Sequence, residues 1–297
     1  MITSSGLAQA LIFGVANGCV YILLATGLNL IFGVMKLVNF AHGQLLMVGA
    51  FIAYIVTTMA GLNPYLAILV SMGSVALVGI GMEKFAFSKI RGTDKLNEIF
   101  ISLGLIYVFE NVARLFWVNE FSIRIPSPLI SLAVPIGDVA IGYDYILAII
   151  IVITILIGLV LLTKKTKIGL AMRATSQKSD AAKLMGINVN RIYLFTFAVG
   201  AALAGASGTL YGILYSFNPT IGALPTIKAF AIIILGGLGS IPGAIAGGLL
   251  YGIAESITAY ASSGFGIAGT WQDAIAFILL IAVLVVRPTG LFGEKGE

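Results

Sequence analysis

Long apolar runs separated by short polar or glycine-rich breaks constrain this chain more than any other feature. A helix crosses a bilayer with about 20 consecutive apolar residues, each rising ~1.5 Å. Of the 297 residues, 59% are hydrophobic and 10% charged, against roughly 25% charged in a soluble domain. Such a chain cannot cover a globular surface with polar groups. Within a bilayer every backbone polar group must be satisfied internally, which selects helices for runs of this length. The reading is an all-α polytopic integral membrane protein, one transmembrane domain over residues 1–297, with about eight to nine transmembrane or re-entrant helices.

Taken in order, the first span runs from Leu7 to Phe32. No Lys or Arg precedes it and no small-residue cleavage pattern follows a short apolar core, so it is read as a span of the mature protein and not as a signal peptide. Next, Lys36, Asn39, His42 and Gln44 interrupt the apolar sequence beside Gly33 and Gly43, as either a cytoplasmic turn or a broken, re-entrant element. Further spans are expected over Leu45–Met59, Tyr65–Met82, Ile99–Val118, Tyr145–Leu162 and Ile192–Tyr215. The loop Glu83–Glu98 is basic enough to be cytoplasmic. Glu110 and Arg114, four apart on one helix face, are expected to pair. Residues Asn119–Asp144 are proline-rich and poor in basic residues, with an extracytoplasmic character and strand-like pieces over Ala133–Val139. The sixth span is rich in Gly, Ala and Ser and is expected to be buried among helices.

The apolar run Thr226–Ile257 is interrupted at GGLGSIPG, where Gly236, Gly237, Gly239, Pro242 and Gly243 read as a helix break. Treating it as one span would place Arg287 and Lys295 outside; splitting it restores the positive residues to the inside. The expected topology has nine crossings or part-crossings, ends with Trp271–Val286, and puts the amino terminus outside and the carboxyl terminus in the cytoplasm. Glycine-interrupted apolar pairs thus occur near both ends, a pattern that points to a transport pathway between internal repeats.

The longest basic interruption, Thr163–Arg191, carries seven Lys or Arg against Asp180 alone and is read as a cytoplasmic loop. Within it a short helix is expected, capped by Ser176 or Ser179 and ended by Gly186 with Asn188. Ala181, Ala182, Leu184 and Met185 give it a small apolar face that needs a docking surface, because a helix this short is unstable alone.

Several chemistries are excluded or disfavoured. Cys19 is the one cysteine and His42 the one histidine, so no disulfide, thiolate cluster or two-imidazole metal site can form. Cys19 reads as a small core residue. There is no nucleophile motif, and GGLGSIPG lacks the Lys-Ser/Thr pair of a nucleotide-binding loop. No catalytic residue, metal site or cofactor is assigned to this chain. No basic run is interleaved with aromatics, so nucleic acid is not an expected partner. Asn39, His42, Gly43 and Gln44 are assigned to a translocation pathway, since polar groups at membrane depth must face protein or water. No ion-binding acid pattern is evident beyond Glu110 and Glu255, so uphill transport would draw its energy from an ATP-hydrolysing partner.

The segments GVMKLVNFAHG, NFAHGQLLMVGAF and RATSQKSDAAKLMGINVNRIYLFTFAVGAALAGASGTLYG, together with the GGLGSIPG break and the RPTGLFG ending, resemble the permease subunits of bacterial ABC importers for branched-chain amino acids. The likeness spans almost the whole chain. It implies a multi-pass protein of the bacterial inner membrane that is not itself an enzyme. The implied partners are a second related permease subunit, two ATPase subunits that bind ATP and magnesium, and an external substrate-binding protein. It also implies that the short helix is a coupling helix, with Asp180, Ala181, Ala182 and Gly186 matching a Glu-Ala-Ala pattern followed by Gly, an aspartate replacing the glutamate. Arg173, Lys178 and Lys183 would pair with acids on the ATPase, and Leu184 and Met185 would supply apolar contact. Alternatives are a related permease for urea, short amides or other amino acids, and an ion-coupled secondary transporter.

Overall fold

Each of the six long runs upstream of the GGLGSIPG break folds as a helix in the computed structural model, which describes residues 4–117, 122–137 and 139–264 and isolated residues between 274 and 292. In chain order these are α1 (Ser4–Met35), α2 (His42–Met59) and α3 (Pro64–Met82), the last continued by a π-helical turn Glu83–Phe87 and the short α4 (Ser88–Ile90). Then follow α5 (Lys95–Phe116), a two-stranded antiparallel hairpin β1 (Ala133–Ile136) and β2 (Val139–Gly142), and α6 (Tyr143–Lys165). The basic segment holds α7 (Lys167–Gln177) and α8 (Ser179–Leu184), before α9 (Val189–Leu214), α10 (Ala223–Gly236) and α11 (Ile241–Gly264). Among the described residues six helices are long and apolar enough to cross a membrane, and α10 with α11 form a further candidate bent by 118°. The protein is a multi-pass membrane protein. The expected last span, Trp271–Val286, and the loop before it lie largely outside the described residues.

Helices α1 and α9 are buried over most of their length and form the centre of the bundle. Lipid is as apolar as a leucine side chain, so close packing and hydrogen bonds hold such a bundle together, and small residues make that approach possible. The composition of α9 meets this demand: a Cβ on Gly208 would overlap the Leu46 carbonyl of α2, and one on Gly205 would lie 3.0 Å from Val75 of α3. On the other side of α1, a Cβ on Gly18 would fall 2.8 Å from the Gly248 carbonyl of α11. Ser71 of α3 adds a hydrogen bond to the Gly205 carbonyl at 3.0 Å, and Ser207 of α9 one to the Val20 carbonyl at 2.8 Å. Cys19 is buried in this core, as its apolar surroundings suggest.

Helices α5 and α6 lie at the perimeter. They turn Phe100, Tyr107 and Leu115, and Ile150, Ile153 and Ile157, outward. An aqueous surface would not tolerate these side chains in such density, whereas a lipid-facing one requires them.

Two loop boundaries differ from the sequence expectation. Glu83 does not open a solvated loop: the helix runs on through the π turn to Ile90, and Glu83 is buried in an ion pair with Arg91. A π turn adds a residue to one helical turn, and here that turn contributes the buried carboxylate. The connection between α4 and α5 shrinks to four residues, 91–94. On the opposite side, the strand-like stretch Ala133–Val139 becomes a hairpin that reaches Gly142, because Gly137, at φ +60°, turns the chain back.

Candidate functional site

The polar interruption near the start builds a buried cluster inside the bundle. Helix α1 ends at Met35; residues 36–41 then run without helical structure, and α2 begins at His42. The lower end of this segment meets α5, where the Val38 N–H donates to Glu98 at 3.3 Å. Its upper end has climbed. His42 packs against Gly27 of α1, eight residues or about 12 Å before that helix ends. Gln44 donates to Glu110 at 3.2 Å, fifteen residues or about 22 Å into α5. The sequence left open a turn or a broken element, and the structure is the latter: non-helical chain rises into the bundle and a helix starts within it.

Local chemistry explains why α2 starts there. The Asn39 side-chain oxygen accepts from Ala41 N–H at 3.0 Å, an Asx turn that competes with helix and so ends the non-helical segment. Gly43 N–H, one of the donors a helix start leaves unpaired, donates to the Thr226 hydroxyl of α10 at 3.0 Å. A Cβ at Gly43 would overlap both that hydroxyl and the Gly222 carbonyl, so only glycine lets α2 and α10 meet here. Glu110 is shared between Gln44 and Arg114, the latter at 3.6 Å, which realises the pair expected from the spacing of four.

Asn39, His42 and Gln44 are all buried; Gln44 reaches Glu110, Thr226 accepts from the adjacent Gly43, and His42 packs against Gly27 of α1. None of the three lines the cavity between the ends of α1, α6 and α7 or the one that Asn17, Tyr215 and Tyr260 line. Asn39 Nδ2, Gln44 Oε1 and, on the neighbouring turn of α1, Thr26 Oγ1 have no hydrogen-bond partner among the described residues. A buried amide without a partner costs on the order of 1–3 kcal/mol. Groups of this kind call for water or a polar ligand to complete them.

Sequence reading missed a second polar feature. Lys228 of α10 forms a buried ion pair with Glu255 of α11 and lies 3.3 Å from the Tyr21 hydroxyl of α1. Glu255 stands out as an acid in an apolar run, but Lys228 reads as the polar edge of a span. A hydropathy pattern carries no sign that the two are neighbours: 27 residues and a sharp bend separate them.

That bend is the GGLGSIPG break. Gly236 and Gly243 face each other so closely that a Cβ on either would overlap the other's backbone, and Gly237 and Gly239 take positive φ angles of 107° and 84°. Pro242 stands in the first turn of α11, where its missing N–H costs nothing. Asn29 of α1 clamps the break from the side, donating to the Ser240 carbonyl at 2.8 Å and accepting from Gly239 N–H at 2.7 Å. The RPTGLFG ending closes it from below: Leu291 and Phe292 N–H groups donate to the Leu235 and Gly236 carbonyls at 2.9 Å each. Two motifs far apart in sequence are thus one local structure.

The basic segment departs from expectation in three ways. It contains two helices, since the Thr166 hydroxyl caps an additional α7 by accepting from Gly169 N–H at 3.0 Å. Neither Ser176 nor Ser179 is the N-cap residue of α8. Lys178 holds that position without a side-chain cap, while the Ser176 hydroxyl turns back to the Arg173 carbonyl. Asn188 does not end α8 but caps α9, accepting from Arg191 N–H at 3.1 Å. Gly186 does terminate α8 in the left-handed region at φ +83°.

The expected apolar face is also divided. Ala182 is 4% exposed and packs with Met172, Val189 and Ile192, whereas Leu184 and Met185 are 89% and 83% exposed and point away from the chain. Lys183 pairs with Asp180 at 3.0 Å on the same open surface, and Ala181 and Lys178 are exposed. Arg173 lies apart from these residues, on α7. The base of α9 is braced by Arg91, which donates to Asn190 at 2.8 Å and stacks 4.3 Å from the Tyr193 ring.

The family described as branched-chain amino acid transport system, permease component, matches residues 10–284. The high-affinity branched-chain amino acid transport system permease protein BraD of Pseudomonas aeruginosa is 34% identical over 96% of this chain and 95% of its own length. The corresponding permease protein LivH of Escherichia coli is 32% identical, again over 96% and 95%. A probable branched-chain amino acid transport permease protein of Methanocaldococcus jannaschii is 33% identical over 92% and 88%.

Proposed function

This chain belongs to the branched-chain amino acid transport permease family, and we propose that it is a membrane-spanning subunit of an ATP-driven importer for branched-chain amino acids in the bacterial inner membrane. The observation that carries the reading is the cluster at the start of α2, where Asn39 and Gln44 keep unpartnered amide atoms inside a membrane bundle. Such groups are retained against their cost where a polar solute or water completes them. An amino acid offers an ammonium and a carboxylate to this cluster and an apolar side chain to the surrounding helices.

In this reading the chain provides the path, and the energy comes from partners: two ATPase subunits that bind ATP and magnesium, a second related permease subunit, and an external binding protein. Helix α8 supports it. Leu184, Met185, Asp180 and Lys183 form an exposed platform on the basic face, and Ala182 ties that platform to the foot of α9. Helix α9 then lies against α2, with Gly208 on the Leu46 carbonyl. Displacement of α8 by a closing ATPase pair would reach the polar cluster through this one rigid path. By the same argument the chain itself hydrolyses nothing.

Two experiments test this. Affinity purification from native membranes with mass spectrometry recovers ATPase subunits and a second permease; recovery of this chain alone would count against the reading. In proteoliposomes holding the recovered complex, Asn39→Leu or Gln44→Leu lowers ATP-dependent leucine uptake by about tenfold, the effect of one lost buried hydrogen bond, with ATPase co-purification unchanged. Lost assembly instead would make these residues packing groups.

A further inference from the structure

A cavity of about 910 Å³ opens where the ends of α1 and α6 meet α7 and the break between α10 and α11. Its volume lies within the ~300–1,000 Å³ range of ligand pockets. Three cations line it, Lys36 of the segment after α1, Lys164 of α6 and Arg173 of α7, and no acid among the described residues does. None of the three has a carboxylate within ion-pair distance among the described residues; Lys36 has only the Phe32 ring, 5.9 Å away. Lys36 also holds the one positive φ of a non-glycine residue among the described residues, +55°. That conformation costs on the order of 1–3 kcal/mol.

The rest of the lining is amphipathic. Asn29, Thr163 and Ser240 stand among Leu30, Val34 and Ile245. Ile157 and Leu161, on the turns of α6 just before the cavity, are exposed on the lipid-facing perimeter. The cavity therefore sets a cluster of cations beside the exposed apolar surface of α6, near the end of that helix. Like charges gathered without counter-charge repel one another, and an anion held among them removes that cost. Basic pockets between helices on the cytoplasmic side take up anionic headgroups for this reason.

We propose that this cavity binds a phosphate group through Lys36, Lys164 and Arg173, and that its apolar wall suits that group as carried by an anionic phospholipid. The site is separate from the polar cluster of α2 and does not depend on which solute the protein moves. It touches the transport machinery mechanically, because its walls include α7, which leads into α8, and the glycine break of α10 and α11. It also reassigns Arg173 from an ATPase contact to this cavity.

The test uses the full chain, delipidated in nonionic detergent and titrated with phosphatidylglycerol or phosphatidylcholine under native mass spectrometry. A cation near a membrane surface contributes about fivefold in affinity. Wild type should prefer phosphatidylglycerol by at least about tenfold, and the triple variant Lys36→Gln, Lys164→Gln, Arg173→Gln should lose that preference. The control Lys165→Gln, Lys167→Gln, Lys183→Gln removes the same charge outside the cavity and should keep it. Should the triple variant elute as aggregate, Lys164→Gln alone carries the test, with an expected loss of about fivefold. Displacement of lipid by millimolar inorganic phosphate, with glycerophosphate binding as tightly as lipid, supports the phosphate site and gives it a soluble source. Equal binding of phosphatidylcholine, or equal loss in the control, overturns the proposal. So does unchanged lipid binding in the triple variant accompanied by loss of ATPase co-purification, because the cations would then serve a protein partner.

Discussion

Among single residues, Lys228 and Glu255 carry the largest energetic stake. Both are buried, and each offsets much of the other's cost, with the Tyr21 hydroxyl beside Lys228 as well. Lys228→Met leaves a buried carboxylate without its cation and should destabilise the protein by about 3–5 kcal/mol, whereas the double change Lys228→Met with Glu255→Leu should recover most of that loss. Thermal aggregation of the detergent-solubilised chain, followed by size-exclusion chromatography, measures both; a double variant as unstable as the single one would mean that the pair does not stand alone. The sequence displays Glu255 and hides its partner. At this scale a pattern identifies residue types and local caps, as with Gly186, but not contacts across a bend.

Among elements, α8 is where local pattern and tertiary context part. Alanine, leucine and methionine at 181, 182, 184 and 185 look like one apolar face, yet the turn at Gly186 and the docking of α7 under α6 rotate the helix so that Ala182 faces its own bundle. Substitutions on the two sides should therefore have different consequences. Met185→Glu places a charge on the exposed platform and should abolish ATP-driven uptake in proteoliposomes while leaving thermal stability within about 0.5 kcal/mol, as surface changes do. Ala182→Glu buries a charge and should instead lower the yield of folded protein. Normal uptake in Met185→Glu would remove α8 as the point of coupling.

For the whole molecule, orientation follows from charge. We propose that the segment from Thr163 to Arg191 lies in the cytoplasm, on its seven basic residues against one acid. One experiment reads this directly. Cys19 is buried, so Leu184→Cys offers a membrane-impermeant maleimide one accessible thiol. Labelling is expected in inverted membrane vesicles and absent in intact spheroplasts; the reverse would turn the topology over, and with it the sidedness of the phosphate cavity.

The sequence by itself determined that the chain is a helical membrane protein, where six of its helices lie, that the GGLGSIPG stretch is a break, and which family it belongs to. These follow from hydropathy, from glycine and proline chemistry and from ordered motifs, all of them local along the chain. Only the tertiary structure decided that residues 36–41 climb into the bundle before α2 begins, that Lys228 meets Glu255, that the carboxyl-terminal LF closes the carbonyls of α10, and that three scattered cations share one cavity. Each of these depends on which helix lies beside which. In a bilayer that choice is made by the close approach of glycine surfaces and by buried hydrogen bonds, because apolar side chains gain nothing from preferring one another over lipid.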